Sequence, residues 1–474
     1  MPLMNSSFHR VVLGVLFLSP VLWLTLVLTT TMDIRYDAVH FEKLAHLIDA
    51  QGWKAFLKQG PTLEPLYPFV ISLSIKLGAL TGISFPKIQA GLQVLMLCLS
   101  QLMLYRLLKL FRLNDTVVLI TLIYFALSPA IINSSLSLFS ENITFPLVLG
   151  CMLSIERVWQ FILKKEIVPT VKWAIVFSIL ATILTLAKAV LEYVFIGFLF
   201  FFVLFAVQFM KEEKWRETFC TTAFLMIFLL IAQGSLLSYK ALNKKYNGYF
   251  TLTDARGPYM FYHYAFKRTE VIKNNLLGVA VSSVPGEHVC RQVYGERCQD
   301  WWYDNYSFAE KKSNTWKAEG IPNDQIYSRL MREGFKQIAA HPLTYTLLTS
   351  FEAIKLLFWE STKVGFVFYP SWLQNIYDHT LFKNGLRLLV FLATAWALIY
   401  VLIYLFKNRR LMFAADSPEG TTYQQMFFVA GFVGLFVALY ASVITITRYA
   451  LPIASLYLTI IAFAAQAIFS KSKR

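Results

Sequence analysis

Two aspartates within five residues, Asp33-Ile34-Arg35-Tyr36-Asp37, follow directly on the first long apolar run of the chain, residues 11–32. A carboxylate at the mouth of a membrane span costs free energy unless a partner or a reaction uses it. In its ionised form it can hold a cation or take a proton from a reacting group. Other charged residues lie where apolar runs begin or end: Glu64 before Pro65, Glu141 and Lys188 each between two runs, and Arg448 just ahead of the last. Cations in such places suit anions, phosphate among them, and carboxylates suit proton transfer. The histidines His40, His263 and His341 show no ligand spacing, and no glycine-rich phosphate loop is present.

Composition dictates what must position these groups. The chain has 474 residues, of which 57% are hydrophobic, 16% aromatic and only 15% charged, and its mean hydropathy is +0.53. That is more apolar surface than one soluble core can bury, so the fold class is an all-α polytopic membrane protein. A formal charge of +16 would suggest nucleic acid in a soluble protein. Here the lysines and arginines fall in clusters between apolar runs, which is a topological pattern and excludes nucleic acid as the partner. The first run is longer than the apolar part of a signal peptide and lacks a small-residue cleavage site, so it reads as a retained span.

Hydropathy places about ten spans, at roughly 10–31, 88–106, 116–134, 142–160, 170–187, 190–209, 217–238, 386–406, 424–445 and 450–469, each near the ~20 residues needed to cross the hydrocarbon. Five basic clusters then share one side: Arg106, Lys109 and Arg112; Lys164 and Lys165; Lys211, Lys214 and Arg216; Lys407, Arg409 and Arg410; Lys471, Lys473 and Arg474. By the positive-inside rule that side is cytoplasmic, with both termini. A cell inner or plasma membrane is the expected location. The apolar stretches 66–80 and 343–358 would reverse the later clusters if they crossed, so both are read as interfacial or re-entrant helices. Three regions result: an N-terminal transmembrane module, 1–239, containing a first outer loop at 33–87; an extracytoplasmic region, 240–383; and C-terminal spans, 384–474. Arg448 and Lys188 are then the only basic residues in short outer connections, where the positive-inside rule disfavours them.

Of five cysteines, Cys98, Cys151 and Cys220 lie in apolar runs and read as small packing residues. Cys290 and Cys298 lie in the long outer region, where an oxidising compartment allows a disulfide across the short connection containing Gly295.

Taken in order, the outer residues resemble a known family. From Asp37 the chain runs acid, three residues, Phe41, three residues, Ala45, then Gly52, followed by Glu64-Pro65-Leu66-Tyr67-Pro68 and an apolar helix. Ser128-Pro129 leads through to Ser140-Glu141-Asn142, Ala340-His341-Pro342 precedes the second interfacial stretch, and Thr447-Arg448-Tyr449 opens the last span. This is similar to the GT-C glycosyltransferases, in particular the branch containing protein O-mannosyltransferases and lipid A aminoarabinose transferases. Each motif alone is weak, and their order along most of the chain carries the resemblance.

The resemblance implies a GT-C-like helix bundle that moves a hexosyl or pentosyl group from a polyprenyl-phosphate carrier to a lipid, glycan or protein acceptor, with inversion at the anomeric carbon. The acceptor hydroxyl then needs a carboxylate base, and the departing phosphate needs cations at headgroup depth. Asp37 heads the family spacing and is the expected base, with Asp33 the alternative, although either could simply cap the following helix. Glu64 matches a second acid that orients the acceptor or assists the base. Arg448, Lys188 and Arg256 are the expected phosphate contacts, with Glu141 and Tyr67 also at the sugar or carrier. The chain departs from the family pattern at Ala38, where an acid is usual, and at Phe41, where a tyrosine is usual. No cofactor or metal is assigned, and because branches of the class differ in metal use, a divalent ion at 33–37 stays open. A transporter or flippase of an anionic lipid-linked substrate is the alternative, since intramembrane charges suit it too.

Overall fold

The computed structural model describes residues 6–471 apart from 61–62, 254–255, 285–286, 299–306, 363–364, 415–416 and 444. Lys473 and Arg474 of the last basic cluster and the side chain of Arg256 lie outside the described residues.

The chain is an all-α multi-pass membrane protein. Among the described residues nine helices are long and apolar enough to cross a membrane: Arg10–Thr29, Phe85–Leu110, Glu141–Leu163, Ile167–Ala187, Leu191–Lys211, Trp215–Asn247, Thr380–Lys407, Pro418–Val443 and Thr447–Ile468. A tenth exists if Asp115–Leu127 and Pro129–Leu136, which meet at 43°, form one broken span. The expected span at 116–134 is therefore bent rather than straight. The cause is local: the ring of Pro129 drives Ser128 out of the helical region, to φ −58° and ψ 117°.

The expected span at 217–238 also differs. Its helix continues to Asn247, where Gly248 at φ 81° ends it in the left-handed conformation. At 33 residues it is about 50 Å long against ~30 Å of hydrocarbon, so its polar end belongs to the region beyond the membrane core. The stretch 66–80 forms the helix Leu66–Thr81 and the stretch 343–358 forms Pro342–Lys355. At 16 and 14 residues both are shorter than the ~20 residues of a span.

Aromatic packing fills the bundle. Trp159 on the Glu141–Leu163 helix meets Phe202, Phe205, Phe209, Phe413 and Phe428 at centroid distances between 4.7 and 6.4 Å, within the range of favourable ring pairs. The region 240–383 has a small core of its own, with Tyr262, Ala309, Trp316, Ile326 and Leu330 buried together. Cys290 and Cys298 are buried there and joined by a disulfide. One short antiparallel bridge, Thr31–Met32 against Val367–Phe368, ties the exit of the first span to the far end of that region.

Candidate active site

The bridge at Thr31–Met32 holds the chain extended as it leaves the first span, and Asp33 N donates to the Phe366 carbonyl at 2.9 Å. Tyr36 then turns the chain at φ 51° and ψ −120°, a conformation that suits glycine and costs a tyrosine strain. That turn makes Asp37 the first residue of the helix Asp37–Gln59 and separates the two aspartates. Asp33 pairs with Arg35 at 2.5 Å. Asp37 pairs with Arg448, whose Nη2 lies 2.8 Å from Oδ2.

Arg448 belongs to the tight turn Thr447–Ile453 that opens the last span. Its guanidinium lies over the ring of Phe139, 4.4 Å from the centroid, a cation–π placement that fixes the plane of the fork. Its Nε is 3.7 Å from Glu141 Oε1, too long for a hydrogen bond, and has no hydrogen-bond partner among the described residues. Glu141 starts the helix Glu141–Leu163 and is 2% exposed. Its carboxylate accepts from Lys188 Nζ at 3.1 Å.

Lys188 sits in the turn between Ile167–Ala187 and Leu191–Lys211. Burial, the largest influence, works against its charge, yet the carboxylates of Glu141 and Glu64 outweigh it and hold the ammonium above its ordinary value. Glu64 completes the set by accepting the backbone N–H of Ala189 at 3.0 Å. Asp37, Glu64 and Glu141 against Lys188 and Arg448 make three negative charges to two positive, which leaves one negative charge in excess.

Of the residues read from sequence, Asp37, Glu64, Glu141, Lys188 and Arg448 thus converge from five separate parts of the chain. Asp33 turns to Arg35 instead. Tyr67 is 1% exposed and donates to Gln93 Oε1 at 2.6 Å, so its hydroxyl is committed to the interior. The backbone of Arg256 begins the helix Arg256–Ser283. Among the described residues no three His, Cys, Asp or Glu side chains are arranged to hold a metal ion.

Several residues that matter here escaped the sequence reading. Gln89 and Gln93, one turn apart on Phe85–Leu110, form a buried network with Ser74 and Tyr67. Gln93 also donates to the carbonyls of Ser135 and Ser137, which sets the approach to Phe139 and Glu141. Two amides at i and i+4 in an apolar helix were the available signal. Glu360, fully buried, accepts from Tyr124 Oη and Ser128 Oγ at 2.6 Å each, from Ala130 N at 2.8 Å and from Ser361 N at 3.1 Å. It caps the N-terminus of Pro129–Leu136 by accepting from Ala130 N.

In chemical terms the site offers a partly exposed carboxylate, Asp37, paired with and oriented by an arginine, beside a buried lysine–glutamate pair. A carboxylate so placed can accept a proton, and the unsatisfied Arg448 Nε can donate to an anion.

No protein-family model matches the chain, and no curated protein matches it. Among solved structures it is similar to the crystal structure of ArnT from Cupriavidus metallidurans in the apo state, at 11% identity and a TM-score of 0.32, covering 92% of this chain and 76% of that one. A superposition this loose adds no weight, and the functional case stands on the geometry and sequence of this chain.

Proposed function

We propose that the protein is a membrane glycosyltransferase that moves a sugar from a polyprenyl-phosphate carrier to an acceptor hydroxyl on the extracytoplasmic face, by inverting displacement. The reading rests on the family resemblance of the outer motifs and, above all, on the pairing of Asp37 with Arg448 at 2.8 Å, which joins the proposed base to the proposed phosphate contact. Asp37 takes the proton of the acceptor hydroxyl as that oxygen attacks the anomeric carbon. The bond from the anomeric carbon to the phosphate oxygen breaks, and the electron pair leaves with the polyprenyl phosphate. Arg448 and Lys188 face the charge that grows on that phosphate, and their worth is greatest where water is excluded. Glu141 keeps both cations in place between turnovers, and Glu64 fixes the Lys188 turn through Ala189 N.

The bend at Ser128–Pro129 favours a transporter, since broken helices present half-helix ends to substrates. That end is already filled by Glu360, which leaves it unfit for an anionic ligand. The experiment is transfer of labelled sugar from a polyprenyl-phosphate donor by the purified protein. Mass spectrometry of envelope glycans and glycoproteins with and without the gene then identifies donor sugar and acceptor.

A further inference from the structure

A cleft lies at the end of the bundle away from Asp37. The helix Glu141–Leu163 links the two, with Glu141 at one end and Lys164 just past the other, 23 residues or about 35 Å apart. The cleft has a volume of about 410 Å³ and Lys109, Arg112 and Lys164 around it. Arg112 and Lys164 are exposed, and Lys109 is paired with Asp115 at 2.9 Å. Leu110 and Leu163 also line it, which gives an apolar edge between the cations.

The interior is of opposite character. Gln425 and Gln160 line the cleft, Gln425 only 3% exposed, and Glu156, 4% exposed, lies one side chain behind them. Gln425 Nε2 donates to Glu156 Oε1 at 3.0 Å, and Gln160 Nε2 donates to the same oxygen. Two buried acceptors then have no hydrogen-bond partner among the described residues, Glu156 Oε2 and Gln425 Oε1. Arg157 is 3.8 Å from Glu156 Oε2, beyond hydrogen-bond range. Buried acceptors without donors are costly, more so when one is charged.

The group these oxygens lack is a donor small enough to enter; a cationic one would add to the charge that Arg157 already brings within 3.8 Å of Glu156, and the cations outside suit an anion on the same ligand. We propose that this cleft binds the ethanolamine phosphodiester headgroup of a membrane phospholipid, its ammonium on Glu156 and Gln425 and its phosphate on Arg112 and Lys164. A primary ammonium has three N–H donors and satisfies both oxygens; a trimethylammonium has none. The acyl chains leave along Leu110 and Leu163 into the bilayer.

Native mass spectrometry of the full-length detergent-purified protein, with phosphatidylethanolamine, phosphatidylcholine and phosphatidylglycerol of matched chains, tests this. The ethanolamine lipid should bind about tenfold more tightly than the choline lipid, the scale of one charge-assisted hydrogen bond. Glu156→Gln should remove most of that preference and leave phosphatidylglycerol binding unchanged. Gln425→Met, which keeps volume and deletes the acceptor, should weaken the same preference if Glu156→Gln fails to fold. Arg112→Ala with Lys164→Ala should weaken the ethanolamine and glycerol lipids alike. Equal binding of ethanolamine and choline lipids, or an ethanolamine preference that survives loss of the acceptors, would overturn the proposal, the two oxygens then being hydrated. Displacement of the lipid by soluble phosphoethanolamine at matched concentration would assign the cleft to a soluble ligand and overturn it equally.

Discussion

Arg448, at the head of the last span, places its Nη2 2.8 Å from Oδ2 of Asp37, 411 residues earlier in the chain. The contact joins the first outer helix to the C-terminal bundle and puts a proton acceptor and an anion-binding fork within one side chain of each other. It also sets a competition. In the proposed mechanism, a phosphate that reaches Arg448 shares a guanidinium that Asp37 already holds.

Replacing Arg448 should therefore affect both binding and chemistry. Arg448→Ala is expected to raise the apparent KM for the polyprenyl-phosphate donor and to lower kcat by about 10²–10³, since the charge it faces exists in the donor and grows during transfer. Arg448→Lys should recover only part of this, because an ammonium lacks the planar fork that lies over Phe139. Steady-state kinetics with the donor varied reads the two effects separately, and an Arg448→Ala enzyme with unchanged KM would remove the phosphate role.

The Glu141–Lys188 pair is expected to act on stability. Glu141→Gln leaves two cations facing a neutral amide and should cost about 3–5 kcal/mol, with Lys188→Met on the same background recovering a measurable part. Its alkaline behaviour follows from the sign of the shift. The folded protein holds the Lys188 ammonium above the ordinary lysine value of 10.5, so this stabilisation is complete below pH 10.5 and is lost as pH rises through the folded value. Thermal unfolding in detergent should fall more steeply above pH 10.5 in the wild type than in Lys188→Met; parallel curves would speak against the pairing.

Glu360→Ala should be strongly destabilising, by about 3 kcal/mol or more, because four donors lose their acceptor at the bend of Ser128–Pro129. Melting temperature and folded yield are the readouts. A variant as stable as the wild type would show that Glu360 does not hold the broken helix in place.

Topology can be tested with thiol labelling in a background lacking Cys98, Cys151 and Cys220. If the helix Leu66–Thr81 does not cross, single cysteines at Gln59 and Ile83 should both react with an impermeant reagent from outside. Ile83 is 51% exposed, and it avoids the neighbouring Gly82, whose φ of 71° disfavours a side chain. Labelling at one site only would make that helix a span and reverse the assigned sides.

Much of this arrangement was legible in the chain because charges are conspicuous among apolar residues. Asp37, Glu141, Lys188 and Arg448 stand out at the ends of hydrophobic runs, where each is expensive alone. Their pairing was not legible, since a contact across 411 residues depends on how the spans pack. Nor could sequence show that Asp33 and Asp37 take different partners, because what separates them is the bridge at Thr31–Met32 and the turn at Tyr36. The helix Trp215–Asn247 outran its hydropathy: polarity rises after 238, but no backbone signal stops the helix before Gly248. Glu360 passed unnoticed because its meaning lies in donors more than two hundred residues away.

The central claim is that Asp37 is the base of a sugar transfer, and one measurement addresses it directly: transfer of labelled sugar from a polyprenyl-phosphate donor by purified wild type, Asp37→Asn and Asp33→Asn. Asparagine keeps the size of Asp37 and a hydrogen bond to Arg448 while losing the ability to take a proton. The account predicts a fall in turnover of about 10²–10⁴ for Asp37→Asn, with carrier-lipid binding retained, and near-normal transfer by Asp33→Asn. Near-normal transfer by Asp37→Asn would contradict it, moving the base to Asp33 if that variant is dead and removing the proposed active site if both are active.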